Sequence, residues 1–341
     1  MVYVHIPFCR SFCTYCDFYS VRACPDETFT DEICVEAGSR KDEIAASAAV
    51  DTLYFGGGTP SVLPLSCMAR IADACGGRSW SEWTVEANPD DITAEYARGL
   101  RGIGVDRVSM GVQSLDDGML RWMNRRHDAA AAGRAFMTLR DAGFENISVD
   151  VIFGINGMDA RMLRDTLSGI LQWHPEHISA YQLSVEEESA LGRLAGEGRY
   201  EELADGECSA QYSLISGMLG DAGYEHYEIS NWAVPGKRAV HNSAYWTRAP
   251  YAGLGPGAHS LVGEGIRRHN SESLSGWTAE MEFLTADEIR EERIMLGLRT
   301  ADGVPASLLP DSGLPPSAIP GNVRIPEDRW FVSDSIISSL I

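Results

Sequence analysis

Apolar and polar residues recur along this chain on two periods that take turns. Short runs dense in Val, Ile, Phe and Tyr occupy residues 2–8, 52–55, 83–86, 107–112, 148–153 and 177–183, and each ends in polar residues or Gly. Runs of that length and content read as buried strands. Between them the pattern changes to a helical one, as in residues 128–142 and 162–173, with one apolar and one charged face. Strand then helix, six times over, predicts a parallel sheet joined by crossover helices. Polar residues gather at the strand ends. An α/β fold of the partial (βα)6, TIM-like barrel kind is therefore favoured over an open sheet.

Beyond about residue 220 the texture changes. Residues 224–230 predict one more strand, and 231–259 form a Gly/Pro-rich aromatic stretch. Thr285 and Glu288 make a capping-box pattern ahead of Ile289, Ile294 and Leu298. Pro305, Pro310, Pro315, Pro316, Pro320 and Pro326 then exclude a long helix or a central strand. The expected division is a barrel core over 1–220 and a small, shortened α+β module over 221–341.

Composition narrows the classes. Apolar residues make up 44% of the 341, enough for a real core, which excludes disorder. Acidic residues number 49 against 28 basic, a net charge of −21, and such a surface repels phosphate backbones. Nucleic acid is not an expected partner. No apolar run approaches the roughly 18–20 residues that cross a bilayer. The first residues lack a basic region followed by an apolar one, so a cytoplasmic chain with reduced thiols is expected. Its eight Cys then need a reason other than disulfides.

Cys9, Cys13 and Cys16 stand as C-x3-C-x2-C where the first strand ends. Three thiolates in one tight loop can hold three irons of a [4Fe–4S] cluster and leave the fourth iron open. Zinc would want a fourth ligand, and none lies at normal spacing. Cys24, Cys34, Cys67, Cys75 and Cys208 are scattered and read as small buried hydrophobes. His5 is expected to pack or to orient the loop. Gly56-Gly57-Gly58-Thr59-Pro60-Ser61 lacks the Gly-Lys-Ser/Thr end of a phosphate loop. It is either a tight turn or a backbone cradle for a ligand. Asp150, inside an apolar strand, implies a salt bridge or a polar ligand. His241 beside Tyr245 and Trp246 offers an imidazole with flat apolar surfaces, as a porphyrin site would; the residues alone favour a packed aromatic corner with a hydrogen-bonded His. His226 and His259 are read as structural.

The cysteine spacing, with His5-Ile6-Pro7-Phe8 before it and Asp17-Phe18-Tyr19-Ser20 after it, resembles the radical S-adenosylmethionine (SAM) superfamily. More specifically it resembles the branch holding anaerobic coproporphyrinogen dehydrogenases and HemW-type heme chaperones, from Tyr3 to about Thr300. The resemblance implies that the open iron binds the methionyl amine and carboxylate of SAM. One-electron reduction would then cleave the sulfonium to a 5′-deoxyadenosyl radical. It implies Gly57, Gly58 and Thr59 at the methionyl amino group, and Glu86, Gln113, Arg125 and Asp150 around the methionyl and ribose parts. Tyr3 would lie near the cofactor and Ser184 is a weaker carry-over, while Arg126 rivals Arg125.

Two features separate the members of that branch. The dehydrogenases carry a fourth Cys two places after the third, where this chain has Phe18, and an N-terminal arm where this chain has eight residues before Cys9. The segment from His241 to Trp246 resembles the H-N-x-x-Y-W signature of the heme chaperones, which implies His241, Asn242, Tyr245 and Trp246 as heme residues. The resemblance thus implies a chaperone that binds heme, a [4Fe–4S] cluster and SAM, and delivers heme to recipient proteins. The alternative is an oxygen-independent coproporphyrinogen III oxidase of porphyrin biosynthesis. A third reading is a radical enzyme on an unrelated substrate. Expected partners are heme or another tetrapyrrole, recipient heme proteins and a reductant protein. Peripheral membrane contact, and monomer against dimer, stay open.

Overall fold

The computed structural model describes residues 1–77 and 79–341. The six expected strands are present: β1 (Val2–Ile6), β2 (Thr52–Gly57), β3 (Glu82–Ala87), β4 (Arg107–Gln113), β5 (Ile147–Phe153) and β6 (His177–Gln182). Each pairs in parallel with the next in chain order, joined by crossovers of one or two helices. The two expected helices run over Ala129–Asp141 and Ala160–Leu171. Asp128 and Asp159 cap them, each carboxylate accepting a first-turn backbone N–H. The capping box at Thr285 also forms, opening the helix Ala286–Gly297.

The expected boundary at 220/221 does not interrupt the sheet. Beyond it come β7 (Glu225–Glu228), β8 (Asn231–Ala233) and β9 (Ala252–Leu254). The sheet has nine strands in the order β7-β8-β6-β5-β4-β3-β2-β1-β9. β9 runs parallel beside β1, and β8 antiparallel beside β6. Six parallel strands that do not close a barrel leave two bare edges, and these short strands cover both. At three residues each, β8 and β9 are too short to show a period in the sequence. A separate antiparallel sheet of β10 (His259–Val262), β11 (Ile266–Asn270) and β12 (Ala279–Phe283) follows. The tail packs as a short end, with Trp330 buried and its Nε1 donating to the Ile325 carbonyl at 2.9 Å.

Alternation along the strands has two outcomes. Val2, Val4, Leu53, Phe55, Val85, Val108, Met110, Val149 and Ile178 join helix residues such as Leu100, Phe136 and Leu167 in one core. The residues between them meet one another inside the barrel: Tyr54 with Glu86, Ser109 with Asp150, Ser148 with His177. Arg107 and Thr84 are buried among them, and Arg107 Nε and Nη1 and Thr84 Oγ1 have no hydrogen-bond partner. A barrel of this kind ordinarily fills with branched apolar side chains. This one keeps a polar interior.

Candidate functional site

All six parallel strands end at one face, and the cluster loop leaves β1 there. The loop is tied down on both flanks. Cys9 N–H donates to Val21 at 2.9 Å and Val21 N–H to Pro7 at 2.7 Å, closing its base. Thr14 donates through its backbone to Met123 and through its hydroxyl to Trp122, and Asn124 Nδ2 donates to the Phe12 carbonyl at 2.7 Å. His5 orients the loop as expected: one ring nitrogen sits 3.0 Å from the Tyr19 carbonyl and the other 3.1 Å from the Tyr3 hydroxyl.

Cys9, Cys13 and Cys16 are half-buried free thiols. Burial pushes the Cys9 thiol up, and burial together with the neighbouring Cys13 and Cys9 pushes Cys16 up to about 12. A cationic metal core would offset that cost at Cys9 and Cys16. Among the described residues no three His, Cys, Asp or Glu side chains are spaced for one metal ion.

The glycine loop at the end of β2 closes against the same sulfurs. A Cβ at Gly58 would lie 2.9 Å from the Pro7 carbonyl carbon and 3.1 Å from Cys9 Sγ; one at Gly57 would lie 2.6 Å from the His5 ring. Gly57 also has φ +111, which L side chains rarely adopt. Thr59 Oγ1 is 3.4 Å from Cys9 Sγ. Glu86 stands over the loop, accepting from Gly57 N–H at 3.2 Å and the Tyr54 hydroxyl at 2.8 Å. Burial pushes its carboxyl up to about 7, with Asp150 adding to the rise.

Of the two rival arginines, Arg125 enters the site and Arg126 faces Asp90 and Asp91. Arg125 donates to Cys13 Sγ at 3.3 Å, to the Gly111 carbonyl at 2.7 Å and to Asn88 Oδ1 at 2.5 Å. Asn88 then donates to Thr59 Oγ1 at 3.3 Å, joining the arginine to the glycine loop. Sequence reasoning missed Asn88, although it follows Glu86 by two places and precedes a Pro that ends the strand. Among the described residues Asp150 has no salt bridge of the kind one reading allowed. Ser109 donates to it at 3.1 Å and Ser148 at 3.5 Å, while Arg107 acts on it only at a distance. Gln113 holds a positive φ of 69 beside a register shift in β4, the local strain that accompanies ligand clamps. Tyr3 lies inside the barrel, stacked on Tyr54 at 6.0 Å, and Ser184 is exposed just beyond β6.

The signature from His241 to Trp246 lies elsewhere. It forms a helix, Val240–Trp246, under the opposite end of the strands. Glu82, the first residue of β3, accepts the Val240 and His241 backbone N–H groups. His241 is 1% exposed, with Nδ1 2.8 Å from the Thr52 hydroxyl and Nε2 3.0 Å from the Tyr245 hydroxyl. Burial, the N-terminal amine and Arg107 push its pKa down to about 3. Both nitrogens of the imidazole expected as an axial ligand are engaged by the barrel floor in this structure. Trp246 faces a different space, and Asn242 is half-buried. Of the remaining cysteines, Cys67, Cys75 and Cys208 are buried as expected, whereas Cys34 is half-buried and Cys24 exposed. His226 is structural, stacked on Trp232 at 4.0 Å and paired with Glu327 at 2.9 Å.

Comparison with known proteins bears on this arrangement. A family model described as the radical SAM superfamily matches residues 3–169. The heme chaperone HemW of Bacillus subtilis is 34% identical over 321 residues, which cover 89% of this chain and 84% of that protein. HemW of Mycobacterium tuberculosis is 32% identical over 325 residues, with coverages of 90% and 83%. The mouse mitochondrial radical S-adenosyl methionine domain-containing protein 1 is 31% identical, with coverages of 89% and 74%. Among solved structures, coproporphyrinogen III oxidase (HemN) of Escherichia coli superposes with a TM-score of 0.72 at 20% identity, over 90% of this chain and 76% of that one. At that identity the likeness concerns the fold.

Proposed function

The chain belongs to the HemW heme chaperones of the radical SAM superfamily, and from that premise we propose that it binds heme and delivers it to recipient proteins, with a [4Fe–4S] cluster and SAM at the barrel mouth. The observation that carries the reading is identity of 34% spread over most of both chains. The loop agrees with it: Phe18, where the dehydrogenases carry a fourth Cys, is exposed at the edge of the site. In this reading residues 1–220 carry the cluster and cofactor, and residues 221–341 the heme-facing parts.

Cys9, Cys13 and Cys16 would hold the cluster. When bound, cluster and SAM supply one-electron chemistry. The chain's own groups prepare the place. Arg125 offsets thiolate charge at Cys13, and Asn88 keeps the guanidinium aimed there. Gly57 and Gly58 admit a ligand to the backbone where any side chain would collide. Glu86, its carboxyl pushed up to about 7 by burial, is divided between its two protonation states near neutral pH, and can accept a hydrogen bond from an ammonium or donate one to a carboxylate. Asp150, solvated by serine hydroxyls, offers a second acceptor deeper in the barrel.

Anaerobic titration of the reconstituted protein with hemin should give saturable binding and a Soret band, and transfer to an apo heme protein. Clean decarboxylation of coproporphyrinogen with SAM and a reductant would overturn the chaperone reading.

A further inference from the structure

The helix Val240–Trp246 has two faces. His241, Ala244 and Tyr245 turn into the barrel floor. Val240, Ser243 and Thr247 stand on the other side at helical spacing, with Trp246 beside them, and line a cleft of about 700 Å³. The far wall comes from distant chain: Arg293 on the helix Ala286–Gly297, then Val304, Pro305 and Leu308. Arg238 closes one end.

We propose that this cleft, and not the His241 imidazole, is the tetrapyrrole site, where the ring lies against Trp246 and its two carboxylates meet Arg238 and Arg293. The proposal rests on the heme-binding reading above and names its place.

Size, shape and charge all support it. Ligand clefts commonly measure about 300–1,000 Å³ with mostly apolar walls and a few convergent polar groups. Here Trp246, Val240, Val304, Pro305 and Leu308 form the apolar walls. Val240 is 45% exposed, an aliphatic side chain left uncovered on a packed helix. Ser243 Oγ is buried without a hydrogen-bond partner, an orphan that a polar ligand edge would satisfy.

Two guanidiniums, Arg238 and Arg293, and the one carboxylate of Asp302 line the cleft, on a chain of net charge −21. Arg238 pairs with Asp302 at 3.3 Å and Glu225 at 3.6 Å, and Arg293 with Glu264 at 3.2 Å. All five side chains are more than a third exposed. Exposed pairs of that kind contribute little, so a bidentate ligand carboxylate can replace them.

Among the described residues lining the cleft there is no His, Cys or Met, and the Tyr227 hydroxyl is held 2.8 Å from His177 Nε2. Recognition is therefore of the flat ring and its carboxylates, not of the iron. That suits a protein that must release its cargo. It also separates the heme from the cluster by the length of the strands.

The experiment is a titration of the full chain with hemin and with iron-free protoporphyrin IX, followed by tryptophan quenching and porphyrin absorbance. Ser243→Trp fills the cleft, and Arg238→Glu with Arg293→Glu reverses its charge. Both should weaken both porphyrins by about tenfold or more, a loss of about 1.4 kcal/mol. His241→Gln should change neither by more than about twofold. Thermal unfolding of each variant separates lost binding from lost folding; if Ser243→Trp does not fold, the charge reversal decides. Wild-type affinity in the folded cleft variants would overturn this site and leave the heme reading intact. So would binding of hemin alone, without protoporphyrin. Failure of the wild type to bind hemin would overturn the heme reading itself.

Discussion

At the barrel mouth the important side chains come mostly from successive strand ends, and their partners lie closer in the chain: Thr59 meets Asn88 across 29 residues and Cys9 across 50, and Arg125 reaches Cys13 across 112. At the floor, Thr52 meets His241 across 189 residues, and Glu82 holds the same helix across 159. The electrostatics diverge as well. The mouth gathers thiols and carboxyls whose pKa values are pushed up, awaiting cations. The floor holds a histidine pushed down and kept neutral. One end is poised for ligands; the other is satisfied by itself and leaves only its outer face open. Function and stability thus divide by location in the barrel.

The strongest way to break this comparison is at the cysteines. Cys9→Ala, Cys13→Ala and Cys16→Ala should each abolish the iron–sulfur absorbance after anaerobic reconstitution, while hemin affinity stays within about twofold of wild type. Loss of hemin binding in step with the cluster would show that the two ends are one site.

Arg107 lies between the ends, buried with two nitrogens unpartnered and Glu82 its foremost charged neighbour. Arg107→Leu removes the buried cation that acts on Glu82 and Asp150 and should lower unfolding free energy by about 3 kcal/mol in urea titrations. An unchanged denaturation midpoint would mean that Arg107 does not hold the interior together. Gly57→Ala should follow at about 2 kcal/mol, from its positive φ and the clash with His5, and should also weaken SAM binding measured by calorimetry.

The smallest effects are in pH, and they have opposite signs at the two ends. His241 is pushed down to about 3, so in acid the unfolded chain binds a proton that the folded chain refuses. Its stabilisation is complete above about 6.5 and is lost as pH falls toward 3. Glu86 is pushed up to about 7, so its contribution is complete below about 4.5 and is lost as pH rises through 7. In cofactor-free protein, His241→Gln should flatten the acid side of the stability profile and Glu86→Gln the neutral side, each by the order of 1 kcal/mol per pH unit. Identical profiles for wild type and both variants would remove the electrostatic part of the contrast.

Much of the mouth was legible in the sequence. The six parallel strands, the cysteine loop, the glycine loop and the Thr285 cap depend on local spacing, and local spacing survives in a linear string. The choice between Arg125 and Arg126 did not, because neighbouring residues differ only in where the turn aims them. Asn88 was missed since its role is to hold two other residues, and no spacing rule marks such a link. Strands β8 and β9 left no period to read, being recruited by open sheet edges.

What the sequence alone determined is the set of chemical groups at the barrel mouth, because a metal cluster dictates residue type and interval within one loop. What only the tertiary structure decided is which way the Val240–Trp246 helix faces. Locally its histidine and tyrosine favoured a packed corner, while the resemblance turned them to a ligand. The polar barrel floor, built from Thr52 and Glu82, offered them partners that water or a ligand would otherwise have supplied. Burial of one half of the motif then left Trp246 to face the cleft.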